Sequence, residues 1–302
     1  MEPDKSVTQP EADMPALAAR FRKMLAAEQA QVIPGVVDVI TAKVAHKEGF
    51  KALYFSGAAL AISMGLPNPG LISLTELATA VRRIISAVRA PLIVDVDFEL
   101  GESGNLARTV VEMESAGAAA ILLDDQATAN RDGHPNATPI IRIEPMLRKL
   151  AAAKAARRGE LVIIARTDGR TVEGLATVID RARLYLEAGA DAIFPESLEG
   201  LENFSEFAKR VNAPLVANLA ESGKTPSIDA YALGELGYKA VLFPHSPFRV
   251  ALKGVANAYR KLRRSGTQQS LLDAMMTQRE IDDLIDYNAS EEIGRETTTS
   301  GR

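Results

Sequence analysis

The sequence has no cysteine and no tryptophan, and only 5% of its 302 residues are aromatic. Without cysteine there can be no disulfide, thiolate-bound zinc, iron–sulfur cluster or thiol nucleophile. The three histidines, His46, His134 and His245, are too scattered to suggest a histidine metal site. His46, in KVAHKEG, reads as a surface or core residue. Charge of one sign is also lacking: 35 Lys and Arg face 39 Asp and Glu, a net charge of -4, which argues against a nucleic-acid partner. No apolar run approaches the roughly 20 residues that span a bilayer. The opening MEPDKSVTQPEADMP lacks the basic-then-apolar order of a signal peptide. A cytoplasmic protein with no membrane partner is expected.

A repeated phrase is present instead. EGFKALYFSG, SAGAAAILLDD, EAGADAIFPES and ELGYKAVLFPH each run from a helical end through a glycine into an apolar strand. Gly49, Gly117, Gly189 and Gly237 suit a helix C-cap at positive φ. QVIPGVVD, APLIVDVD, ELVIIARTD and APLVANLAE have the same strand character without strict alternation, as when both faces are covered. Eight strands are therefore expected, starting near residues 32, 51, 91, 118, 161, 190, 213 and 238. Amphipathic segments lie between them: LTELATAVRRIISAV with Arg82 and Arg83 facing water, LARTVVEMESAG, EPMLRKLAAAKAARRG, LATVIDRARLYLEAG and SEFAKRV. This pattern predicts an α/β fold, a (β/α)₈ TIM barrel forming one domain over residues 1–302, with about 1–14 and 290–302 flexible. An open doubly wound sheet is the alternative, but no GxGxxG marks a dinucleotide turn.

In such a barrel, chemistry follows the C-terminal ends of the strands. Those positions hold Asp38; Ser56 and Gly57; Asp95, Asp97 and Glu99; Asp124, Asp125 and Gln126; Arg166, Thr167 and Asp168; Glu196; Asn218 and Glu221; and His245 and Ser246. Asp95 and Asp97 share one side of their strand, because the residue between them points the other way. Two converging carboxylates repel unless a cation lies between them, and Mg²⁺, with Mn²⁺ possible, suits oxygen donors. Asp124 or Asp125 would complete the acidic wall. The plainer reading makes these acids helix caps or exposed residues. Arg166 can hold a substrate carboxylate in a fork, or can merely pair with Glu196 or Asp124. ATANRDGHPNATP, with His134 and the hinge Gly133, reads as a lid or as a long surface connection.

YFSGAALAISMGLPNPG, PLIVDVD, ARTVVEMESAGAAAILLDDQ, NRDGH, IIARTDG, YLEAGADAIFPE, PLVANLAESGKTP and LFPHSPFR, taken together, resemble the isocitrate lyase and phosphoenolpyruvate mutase superfamily. The resemblance covers about residues 17–270 and is strongest to the 2-methylisocitrate lyase and carboxyphosphonoenolpyruvate phosphonomutase branches. It implies a (β/α)₈ barrel and a homotetramer whose last helices exchange between subunits, giving MMTQREIDDLIDYNASEE a partner surface. It also implies that Tyr54, Ser56 and Gly57 hold the carboxylate of a 2-oxo acid. By the same likeness Asp95, Asp97 and Asp124 hold Mg²⁺, Arg166 lies near the substrate's oxygens, and Glu196 and Asn218 line the pocket.

Where lyases of this group carry Lys-Arg-Cys-Gly-His, this chain has Asn130, Arg131, Asp132, Gly133 and His134. Asp132 stands in for the cysteine acid, and a carboxyl in that role needs a raised pKa. A glutamate of the metal set is shortened to Asp124, Val96 replaces an alanine, Phe98-Glu99-Leu100-Gly101 replaces a glycine-rich turn, and Asn68 replaces an aspartate. The expected activity is Mg²⁺-dependent carbon–carbon cleavage of a small 2-hydroxy or 2-oxo di- or tricarboxylate. In it a base takes a hydroxyl proton and pyruvate or glyoxylate leaves. Oxaloacetate decarboxylation, phosphonopyruvate hydrolysis, P–C phosphonomutation and non-catalytic carboxylate binding are the alternatives.

Overall fold

The computed structural model describes residues 14–67, 69–96, 105–127, 140–219 and 228–287. The ends expected to be flexible lie outside these residues apart from Met14, where the first helix begins. Strands β1 (Gln31–Val36), β2 (Leu53–Phe55), β3 (Leu92–Asp95), β4 (Ala120–Leu123), β5 (Val162–Thr167), β6 (Ala192–Pro195), β7 (Leu215–Asn218) and β8 (Tyr238–Phe243) pair in parallel and in chain order. β1 also pairs with β8, from Gln31 opposite Ala240 to Pro34 opposite Phe243, which closes the barrel. Each strand starts within two residues of its expected position. β2, β3, β4 and β6 are buried throughout, which explains their lack of alternation: helices cover one face and the barrel interior the other.

The helices are α1 (Met14–Ala26), α2 (Val39–Lys47), α3 (Gly57–Ser63), α4 (Leu74–Val88), α5 (Leu106–Ser115), α6 (Ile143–Ala156), α7 (Arg170–Glu173), α8 (Leu175–Ala188), α9 (Gly200–Arg210), α10 (Ala230–Glu235), α11 (Ser246–Ser265) and α12 (Gln278–Leu284). In α4, Leu77, Ala78, Val81, Ile84, Ile85 and Val88 are buried, while Arg82 and Arg83 are exposed, as their spacing requires. Ser73 and Glu76 close its first turn in a capping box. The helix expected at SEFAKRV begins earlier, at Gly200, which adds Phe204 to the buried face. The four repeat glycines have φ of 88° at Gly49, 91° at Gly117, 118° at Gly189 and 98° at Gly237, the conformation predicted for them.

At the N-terminal end of the barrel, Arg22 of α1 donates to Asp191 and to the carbonyls of Glu160 and Leu161. Arg157 donates to the same carboxylate at 2.6 Å, and so does the Ile163 N–H at 2.8 Å. At the opposite end, a Cβ on Gly35 would lie 1.9 Å from the Pro244 carbonyl oxygen. β1 and the end of β8 can meet this closely only because residue 35 is glycine. No residue of α11 is buried, and Val250, Val255 and Tyr259 are exposed along it. Among the described residues no helix is long and apolar enough to cross a membrane.

Candidate active site at the C-terminal mouth of the barrel

Alternation along the short strands decides which rim residues face the interior. A cavity of about 150 Å³ opens there, lined by Tyr54 of β2 and Ser56 just after it, Asp95 of β3, Asp124 and Gln126 after β4, Arg166 of β5, Phe194 of β6, Asn218 of β7, and Leu242, Pro244 and His245 at the end of β8. Asp95 and Asp124 are each only 7% exposed. The Tyr54 hydroxyl donates to Asp95 Oδ2 at 3.0 Å. Lys149, reaching in from α6, donates to the Asp124 carbonyl at 2.9 Å and lies 3.9 Å from its carboxylate. Ser56 caps α3 through the Ala59 N–H, so its hydroxyl has a structural task beside the cavity, and Gly57 is the first residue of that helix.

Arg166 is held on two sides. Its Nε and Nη2 donate to Asp168 at 2.8 and 2.7 Å, and its guanidinium stands 5.3 Å from the centroid of the Phe194 ring. Glu196 Oε2 lies 3.5 Å from Arg166 and accepts from Asn218 Nδ2 at 3.1 Å. Glu196 is not among the cavity-lining residues; it stands behind Arg166 and Asn218. Burial works against the charge of Arg166, but Asp168, then Glu196 and Asp124, outweigh it and hold the group protonated well above the ordinary arginine range. A fixed cation therefore faces two buried carboxylates across one cavity. Asn218 Oδ1 is buried without a protein partner, leaving an acceptor beside the cavity.

Two rim residues do other work. Asp38 is the N-cap of α2, in a capping box with Thr41, and does not line the cavity. Asp125 does not join the acidic wall and is not exposed. It points outward between barrel and helices, fully buried. Burial pushes its carboxyl up, against the bonds it accepts from the Asp168 N–H, Tyr185 and Thr167. His46 is exposed on α2, whereas His245 lines the cavity. Asn68, Asp97, Glu99, Asp132, Gly133, His134 and Glu221 lie outside the described residues.

Among the described residues no group of three or more His, Asp or Glu side chains converges to hold a metal ion alone. The donor chemistry nevertheless fits Mg²⁺: Asp95 and Asp124 put two buried carboxylates on one cavity, and this ion commonly takes one or two carboxylates and completes its shell with water and substrate oxygens. Sequence reasoning passed over Phe194, Leu242 and Lys149. The first two sit inside apolar strands, where their hydropathy reads as core. Lys149 reaches in from a helix, and its spacing in sequence carries no signal of the site.

The family description of phosphoenolpyruvate phosphomutase matches residues 21–263. The chain belongs to the phosphoenolpyruvate phosphomutase family. Its relatives in this family include 2-methylisocitrate lyase of Aeropyrum pernix, 46% identical over 92% of this chain and 90% of that protein. The 2-methylisocitrate lyase of Bacillus subtilis is 40% identical over 90% of each. Among solved structures, 2,3-dimethylmalate lyase, a PEP mutase/isocitrate lyase superfamily member, superposes with a TM-score of 0.84 at 30% identity, covering 93% of this chain and 95% of that one. Phosphonopyruvate hydrolase in complex with oxalate and Mg²⁺ gives 0.81 at 26% identity, covering 91% and 97%. The barrel and the family expected from the sequence are thus both found.

Proposed function

We propose that this protein is an Mg²⁺-dependent carbon–carbon lyase acting on a small 2-hydroxy di- or tricarboxylate, with 2-methylisocitrate as the first substrate to test. One observation carries the reading: Arg166, locked by Asp168 and Phe194, faces buried Asp95 and Asp124 across a single cavity at the barrel mouth. The names of the relatives, 2-methylisocitrate lyases at 38–46% identity, supply the substrate class.

Asp95 and Asp124, with Asp97, would hold Mg²⁺, partly through water. The ion supplies Lewis-acid polarisation of an oxo or hydroxyl oxygen when bound. Arg166 gives a second, preorganised positive charge for the oxygens of the leaving 2-oxo acid. Tyr54 orients Asp95, and Ser56 and Gly57 hold the carboxylate at the start of α3. Asn218, held by Glu196 behind it, sets the far side of the pocket, with the unpaired Asn218 Oδ1 accepting from a substrate hydroxyl or a water. Cleavage removes a hydroxyl proton, breaks the adjoining carbon–carbon bond and releases the 2-oxo acid. The electron pair left on the other fragment then takes a proton, for which Asp132 occupies the sequence position, next to Gly133 and His134.

The test incubates the purified protein with Mg²⁺ and 2-methylisocitrate, 2,3-dimethylmalate or oxaloacetate, assaying pyruvate, glyoxylate and carbon dioxide. Pyruvate from 2-methylisocitrate that disappears with a chelator and returns with Mg²⁺ or Mn²⁺ supports the lyase. Carbon dioxide from oxaloacetate alone replaces it with a decarboxylase. Oxalate binding without turnover of any substrate leaves a carboxylate-binding barrel. The proposed assembly is a homotetramer in which the unburied α11, with Val250, Val255 and Tyr259, meets a second copy. Light scattering that returns a monomer would refute it.

A further inference from the structure

The fully buried Asp125 directly follows cavity-lining Asp124, yet it touches none of the cavity. Its Oδ1 accepts the Asp168 N–H at 2.8 Å, and its Oδ2 accepts the Tyr185 hydroxyl at 2.8 Å. Arg181, 2% exposed, lies 3.5 Å from Oδ2 and donates to the same tyrosine oxygen at 3.0 Å. Arg181 is itself gripped by Glu173 at 2.6 and 2.8 Å. The chain returning to the barrel is tied to the same unit, because the Ile141 N–H donates to the Asp125 carbonyl at 2.8 Å and Arg181 donates to the Ile141 carbonyl at 3.1 Å.

A buried ion pair is weak evidence of stabilisation, since apolar side chains of similar volume often do as well. What apolar side chains cannot do is fix the orientation of a peptide N–H. The peptide fixed here is that of Asp168, whose carboxylate carries the two bonds that aim Arg166 into the cavity. A forked guanidinium moves with its carboxylate, and displacement of about 1 Å at a reacting centre can cost on the order of 100-fold in rate. We infer that Asp125, braced by Tyr185 and Arg181, is a positioning residue that sets Arg166 through the Asp168 peptide. For its kinetic consequence alone, this inference rests on the proposed role of Arg166 in catalysis.

Asp125→Asn tests it with little change of volume. The amide has one acceptor oxygen, which Tyr185 and Arg181 both claim, so its NH₂ turns toward the Asp168 N–H and pushes that peptide away. A crystal structure of the variant should show the Arg166–Asp168 fork displaced, and kcat/KM should fall about 10- to 100-fold, mainly in kcat. In an Arg166→Lys background the same change should cost no more than about twofold, because both substitutions act on one element. Asp191→Asn, at the far end of the barrel, should lower Tm without moving kcat/KM. If Asp125→Asn does not fold, Tyr185→Phe should give a smaller kcat loss with the same non-additivity. An unmoved fork, or full additivity with Arg166→Lys, overturns the inference. If the wild type cleaves no substrate the lyase reading fails, and the fork geometry still decides the positioning role.

Discussion

The two ends of the barrel each hold arginines against buried or half-buried carboxylates, but the two arrangements differ in what they leave available. At the N-terminal end, Asp191 receives Arg22, Arg157 and the Ile163 N–H, and both arginines also bond the Leu161 carbonyl. That cluster bonds inward and joins α1 to β5 and β6. At the C-terminal end, Arg166 is forked by Asp168 from one side and still lines a cavity. The same chemical pair is a fastener below and an aimed charge above. Which one results depends on whether the guanidinium's remaining surface meets backbone carbonyls or an opening.

The comparison breaks most sharply under Arg166→Ala. Loss of a preorganised cation at a developing oxyanion should cut kcat/KM by about 10²- to 10³-fold, and Tm should fall as well because buried Asp168 loses its partner. Steady-state kinetics and a thermal melt check both halves. Retained activity with lowered Tm would make Arg166 a fastener like Arg22.

Gly35→Ala should come next. Its new methyl would sit 1.9 Å from the Pro244 carbonyl, and backbone rather than a flexible side chain must yield. Overpacking of this kind costs about 1–3 kcal/mol. Pro244 also lines the cavity, so KM should rise along with the loss of stability, as denaturant melts and kinetics together would report. A change confined to stability would detach this contact from the site.

Asp191→Asn removes the charge from the lower cluster while keeping its shape. The expected loss is about 2 kcal/mol, the scale of hydrogen bonds to a charged group. Urea unfolding should show it with kcat/KM unchanged. A kinetic defect here would mean that the two ends are coupled through the strands.

The sequence carried the barrel because each unit repeats one physical device. A glycine at positive φ stops the helix, and an apolar strand too buried to alternate follows. The site was legible wherever a charged group ended an apolar strand, as with Asp95, Asp124 and Arg166, since burying a charge needs a reason. Asp38 misled because a helix cap and a rim acid occupy the same position in a βα turn. Asp124 and Asp125 were left as alternatives for the acidic wall because adjacent aspartates differ only in strand parity, and parity is lost once the strand ends. The partners of Asp125, Arg181 and Tyr185, sit on α8, about 60 residues further along, where they read as ordinary amphipathic helix positions. The grip of Asp168 on Arg166 spans two residues of one strand end, too local for any pattern of hydropathy to mark.

The smallest effect concerns the outer edge of the upper network, where Glu173 grips Arg181. Hydrogen bonding to Arg181 first, opposed by burial, holds the Glu173 carboxyl below the ordinary glutamate value of 4.5. A carboxyl depressed in the folded state contributes stability that is complete above the unfolded value and is lost as pH falls through the folded one. The Tm difference between wild type and Glu173→Gln should therefore be constant above pH 4.5 and close as the solution is acidified further. Glu173 is 30% exposed, so solvent screens the pair and the gap should stay below those of Gly35→Ala and Asp191→Asn. A gap that widens on acidification would reverse the sign and show that Arg181 is held by Asp125 and Tyr185 without help from Glu173.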